Sequence, residues 1–289
     1  MCGPCELCGG SGPWAPVYPR LGIVRCRHCG LVFYAGPVES ASLYDHAYFH
    51  GSEYRDYLAD RDVWQRNFQA RIRYLRKLRS GGRLLEIGCA YGLFLQLAAR
   101  YWEVRGIDIA ADAVAHARHA LGVNAVCADF LTLPDEPASC DIVCLWDTLE
   151  HLPRPVRTLE KAARWLKPGG ILTLTTNDID SPLARWRGEK WRQLHPPTHL
   201  FYFSRATLRR AIEQAGLVTV HVAYPGQYRG YRSVVETVCA RRGDVGRVLG
   251  RALTLGGRID FPLYLNTRDI VLYTARKPAP AMEPGTPPG

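Results

Sequence analysis

Apolar residues recur along this chain with two periods. From residue 83 onward, short apolar runs alternate with segments whose apolar positions return every three or four residues. Such alternation marks strands and amphipathic helices in turn. Arg83-Leu84-Leu85-Glu86-Ile87-Gly88 reads as a strand, and Leu93 to Tyr101 as a helix. Val104 to Asp108 is a second strand, Ala111 to Leu121 a helix, and Asn124 to Cys127 a third strand. Asp141 to Trp146 is the fourth strand, 155–167 a helix closed by Lys167-Pro168-Gly169-Gly170, and Ile171 to Thr176 the fifth strand. Ser204 caps a helix that runs to Gln214 and stops at Gly216. Val218 to Ala223 and Asp269 to Ala275 are the sixth and seventh strands. The pattern predicts an α/β fold: a seven-stranded, mostly parallel, doubly wound sheet covered on both faces. In such sheets, ligands sit at the carboxyl ends of the strands, near the point where strand order reverses.

Outside this region the pattern changes. Trp64, Phe68, Ile72, Leu75 and Leu78 lie at helical spacing within 63–79, with Arg on other positions, and Ser80-Gly81-Gly82 ends the helix. The preceding segment carries Tyr44, Tyr48, Phe49, Tyr54 and Tyr57, which either line a substrate site or pack that helix onto the sheet. Between the last two strands, 225–264 is an insertion. There Val234, Val235, Val238, Val245, Val248, Leu249, Ala252 and Leu253 are interspersed with Arg241, Arg242, Arg247 and Arg251. It reads as a helical cap over an acceptor site, with a membrane-surface or phosphate-binding face as the alternative. The chain thus divides into a cysteine-rich module (1–36), an aromatic linker with its helix (37–80), the sheet domain with its cap (81–277), and a Pro-rich tail expected to be disordered (278–289).

Five of the ten cysteines fall in the first 29 residues. Cys5-Glu6-Leu7-Cys8-Gly9 and Cys26-Arg27-His28-Cys29-Gly30 are two C-x-x-C turns separated by 17 residues. This spacing fits a four-cysteine zinc ribbon, each turn aiming two thiolates at one tetrahedral ion. Four thiolates leave no open position for water, so the zinc would be structural. The flanks Val17-Tyr18 and Leu31-Val32-Phe33-Tyr34 read as short strands. Cys2 competes for a place, because Cys2-Gly3-Pro4-Cys5 has the same spacing. Cys89, Cys127, Cys140, Cys144 and Cys239 sit in largely apolar contexts and read as small core residues.

Composition adds limits. Hydrophobic residues at 47% and charged residues at 22% exclude a collagen-like or wholly disordered chain. No apolar run approaches the ~20 residues of a membrane span. The N-terminus lacks the basic and apolar regions of a secretory signal, which points to the reducing cytoplasm. The net charge of +10 arises from 32 Arg and 5 Lys against 27 acids. Nucleic acid, a membrane surface or an anionic substrate would each suit it. The Arg are spread along the chain, as genome composition alone would also produce.

The loops at the strand ends carry the candidate chemistry. After the first strand comes Glu86-Ile87-Gly88-Cys89-Ala90-Tyr91-Gly92, whose glycines let a nucleoside approach the backbone. Asp108 ends the second strand about twenty residues later, placed to grip ribose hydroxyls. Asp129-Phe130 follows the third strand and Asp147-Thr148-Leu149-Glu150-His151 the fourth. With Gly106-Ile107-Asp108-Ile109, Ala128-Asp129-Phe130, the stretch Trp146 to Pro155 and Leu166 to Gly170, these motifs resemble class I S-adenosylmethionine-dependent methyltransferases. More narrowly, the chain is similar to bacterial zinc-ribbon methyltransferases of the sugar- and quinone-type superfamily, over nearly its whole length. The resemblance implies a seven-stranded Rossmann-like sheet binding S-adenosylmethionine. It places Glu86, Gly88 and Gly92 around the methionine part, Asp108 at the ribose, Asp129 at the adenine amino group and Phe130 beside the ring, with Ile109 and Asp147 also among the cofactor-binding residues. Ala90 departs from the glycine common at its position in the family.

Methyl transfer is an in-line displacement from a sulfonium, often with proton removal from the acceptor. Candidate bases are His151 and the pair in His195-Pro196-Pro197-Thr198-His199, on a loop stiffened by its prolines. For His199 the alternative is a structural role against Tyr202 or Phe203. Asp147, Glu150 and His151 resemble the E/D-x-x-E-H stretch of quinone-type enzymes, where a divalent ion assists. The preferred reading is that Asp147 lines the cofactor pocket and Glu150-His151 orients the loop. The expected function is methylation of a small-molecule acceptor: a sugar, a glycan or a secondary-metabolite precursor. The alternatives are an RNA methyltransferase and a non-catalytic zinc-ribbon binding protein. The absence of an N-P-P-[YF]-type motif counts against RNA bases, and the intact acids count against a degenerate site.

Overall fold

A computed structural model of the chain describes residues 3–37, 61–239, 243–254, 256 and 259–279. Cys2, the linker tyrosines and Phe49, Arg241, Arg242 and the tail from 280 onward lie outside them.

The first three strands, β1 (Trp14–Tyr18), β2 (Ile23–Cys26) and β3 (Val32–Tyr34), form an antiparallel meander around the two C-x-x-C turns. Helix α1 (Arg61–Leu78) follows, then β4 (Arg83–Ile87), α2 (Leu93–Ala98), β5 (Glu103–Asp108), α3 (Ala111–His119) and β6 (Ala125–Cys127). Next come β7 (Cys140–Trp146), α4 (Pro155–Trp165), β8 (Leu166–Asn177), α5 (Pro182–Arg187), β9 (Phe201–Tyr202), α6 (Arg205–Gln214) and β10 (Val218–Ala223). The insertion contains β11 (Gln227–Gly230), α7 (Tyr231–Cys239), α8 (Gly243–Leu253) and β12 (Pro262–Leu265), and β13 (Ile270–Arg276) ends the series.

Seven strands share one sheet in the order β10-β13-β8-β7-β4-β5-β6. β4 pairs in parallel with both β5 and β7, so strand order reverses at β4 and opens a crevice at its carboxyl end. β13 is antiparallel to both its neighbours. The central strands read as continuous apolar runs because both faces are covered. On one face, Phe68, Ile72 and Leu75 of α1 pack with Leu93, Phe94, Ala113 and Ala117. On the other, Val156, Leu159 and Ala162 of α4 and Leu208, Ala211 and Ile212 of α6 pack with Leu31 and Phe33.

Several boundaries differ from those expected. Helix α2 stops at Ala98 rather than Tyr101, where Trp102 N–H turns back to Ala98 O and buries its indole. Helix α4 stops at Trp165 rather than 167. Leu166 already pairs with Cys140 while Ile171 pairs with Ile142, so Lys167-Pro168-Gly169-Gly170 is a bulge within β8. Pro168 cannot extend the helix.

The long loop after β8 contains two elements not anticipated. Ser181 accepts from Ala184 N–H and caps α5, which starts on Pro182. β9 leaves the main sheet altogether and joins the N-terminal meander as its fourth strand, in the order β1-β2-β3-β9. The sheet of the cysteine-rich module therefore runs past the 1–36 boundary. In the cap, β11 and β12 form a two-stranded ribbon beside the helices. Asn67 of α1 bonds to Tyr228 twice, donating to its carbonyl at 3.0 Å and accepting its N–H at 2.8 Å. The buried amide acts as a strand partner for β11.

Candidate active site

The loop after β4 is shaped by its backbone. Gly88 has φ +77°, and a Cβ there would meet Thr148 at 2.4 Å, so glycine alone lets the β4 and β7 loops close on each other. Ala90 has φ +43°, a left-handed conformation unusual for a residue with a Cβ. Its N–H donates to Asp108 Oδ2 at 2.8 Å, while Ala110 N–H donates to Oδ1 at 2.9 Å. Asp108 thus ties the ends of β4 and β5 together, and each oxygen keeps a lone pair for a hydroxyl. Desolvation raises its pKa, and the amide bonds oppose the rise.

The neighbouring acids have open valences. Glu86 is buried, with Oε2 unpartnered, and burial pushes its carboxyl well above the ordinary range against the pull of Arg71. Asp147 sits at φ +50°, and its Oδ1 and the indole N–H of Trp146 are buried and unpartnered. Arg71 of α1 donates to Asp147 Oδ2 at 2.9 Å and lies over the Trp146 ring, 4.8 Å from its centroid. Buried polar atoms without partners are uncommon and costly. Two carboxylates beside one guanidinium suit a ligand end that carries both an ammonium and a carboxylate.

Asp129 is exposed and uses Oδ1 to accept Leu131 N–H at 2.9 Å. Ile109 is 46% exposed beside Asp108, available to an apolar ring. Phe130 differs from expectation. Its ring is buried against Trp165 at 5.1 Å, under the Lys161 ammonium at 5.2 Å, so it belongs to the α4 core. Lys161 is itself buried and donates to the carbonyls of Leu131 and Leu133, which leaves the loop no freedom to turn the ring outward.

Where the loop after β8 meets the loop after β7, three histidines converge. His151 and His199 rings are 4.5 Å apart edge to face, and His195 and His199 are 5.4 Å apart. His199 Nδ1 lies 2.8 Å from Gln193 O, and His151 Nδ1 lies 3.0 Å from Thr198 O. A carbonyl only accepts, so each Nδ1 carries the proton. Burial lowers the pKa of His151 to about 4 and that of His199 well below its ordinary value, so both imidazoles are neutral near pH 7. His195 is exposed at the rim. Glu150, His151 and His199 each place a ligand atom within 4.8 Å of one another, and Glu150 Oε2 accepts from Thr176 Oγ1 at 2.8 Å. Asp147, Glu150 and His151, weighed as a cation site against a role in lining the pocket and orienting the loop, do not all converge. Asp147 is drawn off by Arg71, and His199 takes its place.

The family described as Methyltransferase domain matches residues 55–222, more than half of the chain. The chain belongs to this methyltransferase family. A ubiquinone biosynthesis O-methyltransferase of Idiomarina loihiensis is 37% identical over 103 residues, covering 33% of this chain and 42% of that one. A second, of Burkholderia pseudomallei, is 33% identical over 156 residues, covering 49% of this chain and 67% of that one. The chain spans less than half the length of the first of these relatives. Among solved structures, a SAM-dependent methyltransferase of Thermotoga maritima superposes with a TM-score of 0.51 at 20% identity, covering 77% of this chain and 95% of that one. A Haemonchus contortus phosphoethanolamine N-methyltransferase in complex with S-adenosyl-L-methionine does so with a TM-score of 0.51 at 17% identity, covering 86% and 62%. These likenesses show the class I methyltransferase fold.

The methyltransferase's N-terminal turns bring Cys5, Cys8, Cys26 and Cys29 together, with their sulfurs within 4.8 Å of one another. Cys5 and Cys29 sulfurs are 3.5 Å apart, and Cys8 and Cys26 are 3.7 Å apart, too far for disulfides and suited to a tetrahedral zinc ion. Gly9 and Gly30, at φ +69° and +81°, follow the two turns as expected.

Three contributors were not anticipated. Arg71 lies on the apolar stripe of α1, three residues after Phe68 and four before Leu75, so a charge on a buried face was the available signal. Asn177, fully buried, brings Nδ2 to 3.5 Å from His199 Nδ1. Asp269, also fully buried, accepts from Trp191 Nε1 at 2.9 Å and Arg192 at 3.3 Å and so anchors the start of the histidine loop. Nothing in the local pattern around 177 or 269 marked these two.

Proposed function

We propose that the protein transfers the methyl group of S-adenosylmethionine to a small-molecule acceptor, with His199 and His151 as the acceptor-side bases. The observation that carries this reading is the pair of buried, neutral imidazoles standing at the same strand ends as the unpartnered Glu86 and Asp147 oxygens. Glu86 and Asp147 would hold the cofactor's ammonium and Arg71 its carboxylate. Gly88 and Gly92 give it room, Asp108 takes the ribose, Ile109 the adenine face and Asp129 the adenine amino group. The cofactor supplies an electrophilic methyl on a sulfonium. The chain's own residues do the rest. Nε2 of His199 accepts the acceptor's proton as the nucleophile attacks in line, and the Glu150 carboxylate steadies the imidazolium that forms. His195, at the rim, passes the proton to solvent. The relatives named for O-methylation support a hydroxyl acceptor; that it is a sugar, a glycan or a secondary-metabolite precursor is part of the proposal.

A structural zinc ion at Cys5, Cys8, Cys26 and Cys29 belongs to the same proposal, as does a reducing, cytoplasmic setting. Among the described residues, no helix is long and apolar enough to cross a membrane. The exposed Val248, Leu249 and Leu253 of α8 leave peripheral membrane contact through the cap within this reading. A second reading rests on the closeness of Glu150, His151 and His199: a divalent cation held there would polarise the acceptor oxygen.

The test uses labelled cofactor with a panel of phenolic and sugar acceptors. His199→Ala should lose about 100-fold or more in turnover, the usual worth of a general base, while calorimetry shows unchanged cofactor binding. Full turnover in that variant would remove the base assignment. Turnover that Mg2+ restores after chelation would favour the second reading.

A further inference from the structure

One two-residue strand lies between the cysteine turns and the histidines. β3 and β9 pair antiparallel, with Val32 opposite Tyr202 and Phe33 opposite Phe201. Tyr34 N–H donates to Leu200 O at 2.9 Å. The Phe33 ring lies 6.5 Å from that of Phe201 and takes the edge of Trp14 at 5.2 Å on its other side. β3 is continuous with the second cysteine turn, where Cys26 N–H donates to Leu31 O and Gly30 N–H to Cys26 O. On the far flank, Leu200 N–H donates to Glu150 O at 2.9 Å. Leu200 is therefore bonded both to the ribbon and to the residue before His151, and it directly follows His199. The two carbonyls that set the tautomers, Gln193 O for His199 and Thr198 O for His151, lie on the same loop. Asp269 with Trp191 and Arg192 holds the start of the loop, and Phe203 O, just past β9, accepts Ile179 N–H at 2.9 Å.

We propose that the metal-bound ribbon is a positioning device for the acceptor-side imidazoles, with Phe33 and Tyr34 of β3 setting the bearing and tautomer of His199 and His151 through β9. The inference rests on the proposed role of those imidazoles, but its content is mechanical. An imidazole's tautomer follows the hydrogen bond made by its other nitrogen. Release of β9 removes the geometry that fixes both Nδ1 protons.

The test compares the zinc-loaded full chain with Tyr34→Pro and Cys29→Ser. Proline removes the N–H that donates to Leu200 together with the Tyr34 ring, and Tyr34→Ala, which keeps the N–H, measures the ring's share. Tyr34→Pro should keep its zinc, read by metal analysis, and its S-adenosylmethionine affinity within about twofold. Amide exchange at 200–202 should rise at least about tenfold while β4 stays protected. 15N-histidine spectra should change from two Nδ1–H imidazoles to mixed tautomers. Cys29→Ser should lose zinc and show the same changes at 200–202. Unchanged exchange and tautomers in Tyr34→Pro would overturn the proposal, as would loss of protection in β4 to the same degree. If His199→Ala keeps full turnover, the base assignment falls, and the exchange and tautomer results still decide the coupling.

Discussion

His151 combines burial with a carbonyl partner, and the combination has a pH signature. Its folded pKa of about 4 lies below the ordinary 6.5, so the fold prefers the neutral ring. The stabilisation is complete above pH 6.5, declines as pH falls and is lost near pH 4. Its size is about 3 kcal/mol from the shift. Urea midpoints should fall across that window, and His151→Gln should flatten the decline. Ala90 makes the opposite kind of statement, with a left-handed backbone at a non-glycine residue. Ala90→Gly should raise stability by up to about 1 kcal/mol, because the Cβ strain goes and only part is offset by chain entropy. A thermal melt that drops would contradict this. Arg71→Ala should weaken cofactor binding about tenfold, measured by calorimetry, the worth of one charge-assisted contact.

At the scale of elements, α1 does more than cover the sheet. Asn67 holds the cap and Arg71, one turn on, holds Asp147, so one helix joins the cap to the cofactor side. Asn67→Ala removes two hydrogen bonds and strands the Tyr228 backbone. It should cost roughly 1–3 kcal/mol and expose 225–264 to limited proteolysis before the sheet is cut. Periodicity placed α1 within two residues of its first described residue, yet Asn67 and Arg71 read only as polar interruptions. The helix and strand periods were legible because burial on one or two faces imposes them. The turn-backs at Ala98 and Trp165 were not, because the pairing of Leu166 with Cys140 and the burial of Trp102 depend on distant partners.

Across the whole molecule, the Arg are dispersed along the chain, and several stand in local pairs with acids. Arg105 with Glu136, Arg83 with Glu103, and Arg209 with Glu213 are examples. Dispersed, paired cations make a poor phosphate track. Filter binding at low salt should therefore show no salt-dependent affinity for RNA, and a strong salt slope would revive the RNA reading. The seven strands, the placing of candidate chemistry in the loops at their carboxyl ends and the grouping of cysteines by spacing could be read from one dimension, since each follows from local period or fixed turn geometry. So could Asp108, whose position at a strand end carries its meaning. Tertiary structure alone decided which groups meet. It turned Phe130 into the core, gave Asp147 to Arg71 and replaced it with His199 beside Glu150 and His151. It also carried β9 out of the domain that encodes it and into the ribbon's sheet. The reason is physical. Periodicity reports whether a side chain is buried, whereas partner choice depends on contacts between segments far apart in the chain, which no local pattern records.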